Sequence, residues 1–272
     1  MMLKRAMLGG LICMLILGSW IGNILYYQQL QLKEPIILKQ DMTLTLKSDY
    51  AEMLYFNVLE NKHKGKKVTA IQLPDDPQIL FQIYPDQTYT HHVMMKAAAG
   101  LNQDELGAKL PLTIKEVLVY YNEGPPATVP IGEIRIEKAS EKRVLDMVSA
   151  SSSSGGAGDY MARLLEKVEL DQVDVAVQDQ LKAWVDVELN GVPVEDLKFP
   201  MALNNNEAIT LSYHWDIPDD ELDSEGLFQS FIRFHFRTQD GHAIVNDVPI
   251  SQNMHLSEVQ VRHLVRSGGD QQ

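Results

Sequence analysis

Ser149–Tyr160 reads SASSSSGGAGDY, a run of small polar residues inside a chain well supplied with large apolar ones. How this stretch is read decides whether the chain is one folded body or two. Serine, glycine and alanine bury little surface, and a flexible ten-residue segment of that composition spans about 17 Å end to end. The sequence therefore predicts a tether over 149–158 between separate folding units. Asp159 stands where a helix cap is expected, and Met161, Leu164, Leu165 and Val168 follow at helical spacing, so a helix is expected to open the second unit.

On either side the pattern is that of strands. Upstream, MTLTLKSD alternates Met42, Leu44 and Leu46 with polar neighbours, and EMLYFNVLEN, KKVTAIQL, QILFQIYPD and TYTHHVMMKA read similarly. Gly124-Pro125-Pro126 separates two further strands. AAAGLNQDELGAKLP is either a long loop or a short helix. Downstream, AWVDVELNGVPVEDL places Asn190-Gly191 between alternating runs, a strong hairpin signal. In AITLSYHWDI, Ile209, Leu211, Tyr213, Trp215 and Ile217 share one face. Asp240-Gly241 marks another turn, and SEVQVRHLV is expected as a last strand with Val259, Val261 and Val265 inward. The fold class expected is mainly β: an N-terminal transmembrane helix, then two β-sandwich-like (Ig-like) extracytoplasmic domains over 35–140 and 160–267.

Charge narrows the partners. The chain has 272 residues and a formal net charge of −13, while 1–33 carry only Lys4, Arg5 and Lys33. An acidic body repels nucleic-acid phosphates, so nucleic acid is not expected as a partner. Ala6–Leu25 is free of charge for 20 residues. As a helix it would cover about 30 Å, the thickness of a bilayer's hydrocarbon core. A transmembrane anchor over 6–27 with a cytoplasmic tail over 1–5 follows, oriented by Lys4 and Arg5, with Trp20, Tyr26 and Tyr27 at the outer interface. The rivals fit less well. Gly18, Ser19 and Gly22 each lack a second small residue two positions on, as signal cleavage requires, and Cys13 follows the bulky Leu11 and Ile12. Gly18 and Gly22 have the spacing of a helix-pairing face, which points to a homodimer through the membrane helix. Cys13 is the single cysteine, so the outer portion holds no disulfide, as suits a bacterial envelope.

Catalytic signatures are missing: no G-x-S-x-G elbow, phosphate loop, dinucleotide loop or H-E-x-x-H occurs. His235, Asp240 and His242 around the turn near Asp240 form the best metal candidate. Weaker ones are adjacent His91 and His92 with Met94 and Met95, the set His255, Glu258 and His263, and the acidic run Asp219, Asp220, Glu221, Asp223 and Glu225. That run suits calcium in chemistry but fails the EF-hand register. In NKHKGKK, Lys62, Lys64, Lys66 and Lys67 form a basic tip on an expected hairpin, able to meet anionic lipid or an acidic partner. No cofactor is expected. The function read from these features is a non-catalytic, single-pass cell-membrane protein that binds an envelope partner. Alternatives are a sensor or regulatory subunit of a membrane complex, and an extracytoplasmic metal-dependent hydrolase.

Overall fold

The computed structural model describes residues 2–47, 51–153, 156–175, 182–217, 225–253 and 256–267, with side chains from Met14 onward apart from 105, 225–228 and 251–253. Helix α1 (Met2–Gln29) leads into a body that is mainly β. Among the residues whose side chains are described, no helix is long and apolar enough to cross a membrane. The expected span over 6–27 begins before those residues.

In the first half lie β1 (Ile36–Ile37), β2 (Lys39–Leu46), β3 (Glu52–Asn61), β4 (Val68–Gln72), β5 (Gln82–Thr88), β6 (His92–Leu101), a single-turn α2 (Gln103–Leu106), β7 (Leu112–Tyr121) and β8 (Ala127–Lys138). One sheet has the order β1-β3-β6-β5, while β2, β8, β7 and β4 belong to another. Alternation aims Leu54, Phe56 and Val58 of β3 and Ala97 and Ala99 of β6 at Leu44, Leu46, Ile134 and Ile136, forming one buried core. NKHKGKK is not a hairpin tip, because β3 and β4 belong to different sheets; it is the corner where the chain crosses between them.

The second half comprises β9 (Leu145–Ser152), β10 (Ala157–Leu164), β11 (Val168–Val175), β12 (Val185–Leu189), β13 (Val192–Pro193), β14 (Met201–Leu203), β15 (Ala208–Trp215), β16 (Glu225–Thr238) and β17 (Ala243–Asn253). A second core gathers here, including Ile209, Leu211, Tyr213 and Trp215 from β15 and Phe234 and Phe236 from β16. Asn190 and Gly191 have φ of 52° and 76°, as a tight hairpin turn between β12 and β13 requires.

The stretch read as a tether is part of this half. Ser149–Ser152 end β9 and Ala157–Gly158 begin β10, paired antiparallel with Gly158 opposite Ser152. The glycines have packing reasons. Gly156 has φ of 82° in the turn. A Cβ on Gly158 would meet the Tyr213 ring at 2.5 Å, so only glycine lets β10 lie against β15 there. The helix expected after Asp159 is likewise absent: Tyr160–Leu164 continue β10, with Ala162 and Leu164 buried and Met161 outward. Ser149, Ser151 and Ser152 lie on an exposed edge strand, where small polar residues face water on both sides.

Nor do the halves keep separate sheets. β2 pairs in parallel with β8 on one side and with β16 on the other, making one eight-stranded sheet, β14-β11-β16-β2-β8-β7-β4, with β17 beside β16. Gly132 permits this. It faces Gln40 of β2 with φ of 87°, and a Cβ there would collide with the Gln40 backbone.

The last element is a helix, α3 (Glu258–Ser267), where a strand was expected. Ser257 Oγ accepts from the Gln260 amide, and Gln260 Oε1 accepts from the Ser257 amide at 2.9 Å, a capping box that starts the helix. Val261, Leu264 and Val265 are buried and Val259 is exposed, the helical choice of face. They pack on Leu32, Leu38, Leu59 and Met94. This second cover explains why β3 changes from alternating burial to continuous burial at Val58–Asn61.

Candidate functional site

Two polar assemblies stand out, and both are joints. The first lies where the halves share a sheet. Beyond Met42, β2 leaves β16, and from Ile232 onward β11 takes its place along that strand. The angle so opened is a cleft of about 690 Å³, with Arg135, Glu137, Asp174, Arg233 and His235 among its polar lining and Val185 and Val187 on an apolar wall. Period two puts Phe234 and Phe236 in the core, which leaves Arg233 and His235 facing the cleft.

Its charges are matched from strand to strand. Arg233 grips Asp247 of β17 with two bonds, 2.9 and 3.1 Å, and Glu137 of β8 with a third at 2.8 Å. Thr45 of β2 donates to the same Asp247 at 3.2 Å. Those hydrogen bonds, that to Asp247 foremost, push the Arg233 pKa above its already high value, so the guanidinium stays charged. His235 Nε2 lies 2.9 Å from Asp174 Oδ2. Such a cleft offers donors, acceptors and an apolar wall to a polar chain laid across it.

The second assembly is the base of α1. Asn61, 4% exposed, clamps the connector after the helix: its Oδ1 accepts from the Leu32 amide at 2.9 Å and its Nδ2 donates to the Leu32 carbonyl at 2.7 Å. Tyr27 meets His91 edge to face, ring centroids 5.6 Å apart. His92, 2% exposed, bonds the Leu30 backbone, and its Nε2 is buried without a hydrogen-bond partner. Burial lowers the His92 pKa from its usual 6.5; the Leu30 bond opposes that but is the smaller effect. α3 closes the assembly: Glu258 Oε1 accepts from the Thr90 amide at 2.6 Å and the Thr90 hydroxyl at 2.8 Å. The hydroxyl's bond, then the amide's, lowers the Glu258 pKa.

The candidates chosen from sequence are placed as follows. Among the described residues no group of three or more His, Cys, Asp or Glu side chains is arranged to hold a metal, so His235, Asp240 and His242 are not assembled into a site. His235 is engaged by Asp174 on β11, while the His242 amide donates to Thr238 Oγ1 in the turn. His91 and His92 part company, one beside α1 and one inside the body. The acidic run Asp219–Asp223 and His255 fall outside the described residues. Of the four lysines, Lys66 pairs with Glu34 at 2.8 Å and lies 3.9 Å from the Tyr121 ring centroid, and Lys67 pairs with buried Glu60 at 3.3 Å. Lys62 and Lys64 are exposed. Gly18 and Gly22 leave open space along α1.

Sequence reading missed Arg233, Glu137, Asp247, Asn61 and the buried role of His92. The run Arg233-Phe234-His235-Phe236-Arg237 carried a trace, charge alternating with aromatic rings. Its partners, however, stand 96 and 14 residues away.

No protein-family model matches the chain, and no curated protein matches it. Solved structures overlap it loosely, among them these two. A protein of unknown function from Porphyromonas gingivalis W83 has 7% identity and a TM-score of 0.24, covering 79% of this chain and 98% of its own. A marsupial T cell receptor has 9% identity and a TM-score of 0.21, covering 80% and 99%.

Proposed function

We propose that this chain is a membrane-anchored binding protein of the bacterial cell envelope. In this reading α1 crosses the bilayer and the body, two sandwich-like (Ig-like) units fused through one sheet, stands outside the cytoplasm. There it engages a protein partner rather than catalysing a reaction, and Gly18 and Gly22 allow a second copy to pair along the helix.

The observation that carries the reading is the surface of α1. Leu15, Leu17, Trp20, Ile21 and Ile24 are 49–68% exposed on a helix whose base is clamped into the body through Leu30 and Leu32. Keeping apolar area in water costs about 25 cal/mol per Å², so a fixed helix with that surface calls for an apolar surrounding. A bilayer supplies one, and the charge-free stretch from Ala6 matches its thickness.

The test is fractionation of full-length chain made in a bacterial host. It should remain with membranes through alkaline carbonate washing, and protease added to intact protoplasts should digest 34–272. Release of intact chain by the wash would remove the anchor. Cross-linking from the cleft face, at positions beside Arg135, should then capture one envelope protein, and Arg135→Glu should abolish that adduct.

A further inference from the structure

The base of α1 gathers basic side chains from three separate parts of an acidic protein, and this arrangement has a use. Lys33 follows directly on Leu32, which Asn61 holds. Lys62 begins the corner after β3, where its amide donates to the carbonyl of His91 at 2.9 Å; His91 is the residue in ring contact with Tyr27. Lys64 lies two residues further along the same corner. From the other end of the chain, α3 docks by its first residue, Glu258, on Thr90, and Arg262 lies one turn further along. Lys33, Lys62, Lys64 and Arg262 are all exposed.

The acidic groups nearby are already engaged. Glu34 is paired with Lys66, Glu60 is 3% exposed and paired with Lys67, and Glu258 accepts both Thr90 hydrogen bonds. That leaves four exposed cations, next in sequence or one helical turn from residues that contact the helix base, on a molecule of net charge −13; Arg262 also acts on Glu258. At the same level Tyr26 and Tyr27 are 49% and 41% exposed, the residue type that settles at the headgroup layer.

We propose that these cations form a collar that binds the headgroups of anionic phospholipids in the outer leaflet, seating the body on the bilayer surface around the emerging helix. The inference rests on the anchored reading above. Charge complementarity and continuity with α1 select the ligand: a negatively charged surface must lie within a Debye length, about 8 Å, of these side chains for them to act on it. Each lysine or arginine so placed favours the anionic lipid by about fivefold. The rest of the body, being acidic, is held off the same surface, so contact is confined to the collar.

The experiment reconstitutes the full chain into bilayers of phosphatidylcholine containing phosphatidylglycerol, then measures the lipid that it retains after extraction into mild detergent. The ratio of phosphatidylglycerol to phosphatidylcholine in the retained lipid should exceed the bulk ratio about fivefold. Enrichment should vanish in about 1 M salt, where the Debye length is about 3 Å, and in the variant carrying Lys33→Glu, Lys62→Glu, Lys64→Glu and Arg262→Glu. All four sites are exposed, and a thermal melt matching the parent's certifies the variant's fold; should it fail, the salt arm on the parent decides. A chain that stays with the bilayer but retains both lipids in bulk ratio overturns the collar and leaves the anchor standing. A chain that associates with no bilayer overturns both.

Discussion

The two joints of this molecule are built from opposite materials. Where the halves meet, β2 and β8 are tied to β16 and β17 by charges: Arg233, its side chain 26% exposed, holds Asp247 and Glu137. Where α1 meets the body, the work is done by a neutral amide and an imidazole, Asn61 and His92, at 4% and 2% exposure. Water decides between them. Partly exposed ions keep some of their hydration, and the two-bond grip on Asp247 offsets the desolvation they do undergo. Deep in the α1 base an ion would lose that hydration, so neutral donors and acceptors take over. The first joint thus rests on ions, and the second on neutral groups, one of which, His92, can take up a proton.

The sharpest challenge to this contrast is Arg233→Ala. It strands Asp247, 11% exposed, without its cation and frees Glu137, so chemical denaturation should show a loss of about 3 kcal/mol. A loss below about 0.5 kcal/mol, the size typical of an exposed pair, would mean that backbone pairing alone holds the halves. Next in size is Asn61→Ala, which leaves the Leu32 amide and carbonyl buried without partners. About 2 kcal/mol should be lost, and limited proteolysis should begin in 30–34. Unchanged protease resistance there would show that α3 and the Leu32 side chain suffice to hold the connector.

Acid should produce the smallest effect and the most selective one. The folded pKa of His92 is lowered, so below the usual 6.5 the unfolded chain binds the proton more readily than the folded one. Its contribution to stability is full above pH 6.5 and falls as pH drops through that value. Around it lie His91, Lys67, the Leu30 carbonyl and Glu258; the first two oppose its protonation and the other two favour it. Acidification from neutral to about pH 5 should lower the thermal midpoint, and His92→Gln should remove part of that slope. Arg233→Lys should leave the slope as it is. If His92→Gln leaves the slope intact, the acid sensitivity belongs to other groups and the contrast between the joints fails.

Much of the fold was legible where local chemistry and final environment agree. Asn190-Gly191 makes its hairpin because only those residue types accept two successive positive φ values cheaply. The β15 face is buried as its alternation said, since one side meets the core and the other meets water. Reading failed where a local signal had two explanations. Serine and glycine in 149–158 suit a tether and equally suit an exposed edge strand with a glycine under a tyrosine; Tyr213, 55 residues beyond Gly158, chooses between them. In 257–265 alternation pointed to a strand, and the Ser257-x-x-Gln260 box that names a helix was the overlooked signal. The candidate site was less legible still, because its members are single charges scattered over four strands.

By itself, the sequence determined the properties that depend on neighbours along the chain: the β character, the tight turns, the charge-free segment near the N-terminus and the acidic body. Only tertiary structure decided that β2 crosses into the second half's sheet, that Arg233 finds Glu137 and Asp247, and that Lys33, Lys62, Lys64 and Arg262 share one end. The reason is physical. A turn or an alternating strand is selected by dihedral preferences and by which face meets water, both written within a few residues. Pairing between strands uses backbone groups that every residue carries, so partner choice emerges only when whole faces are packed against one another.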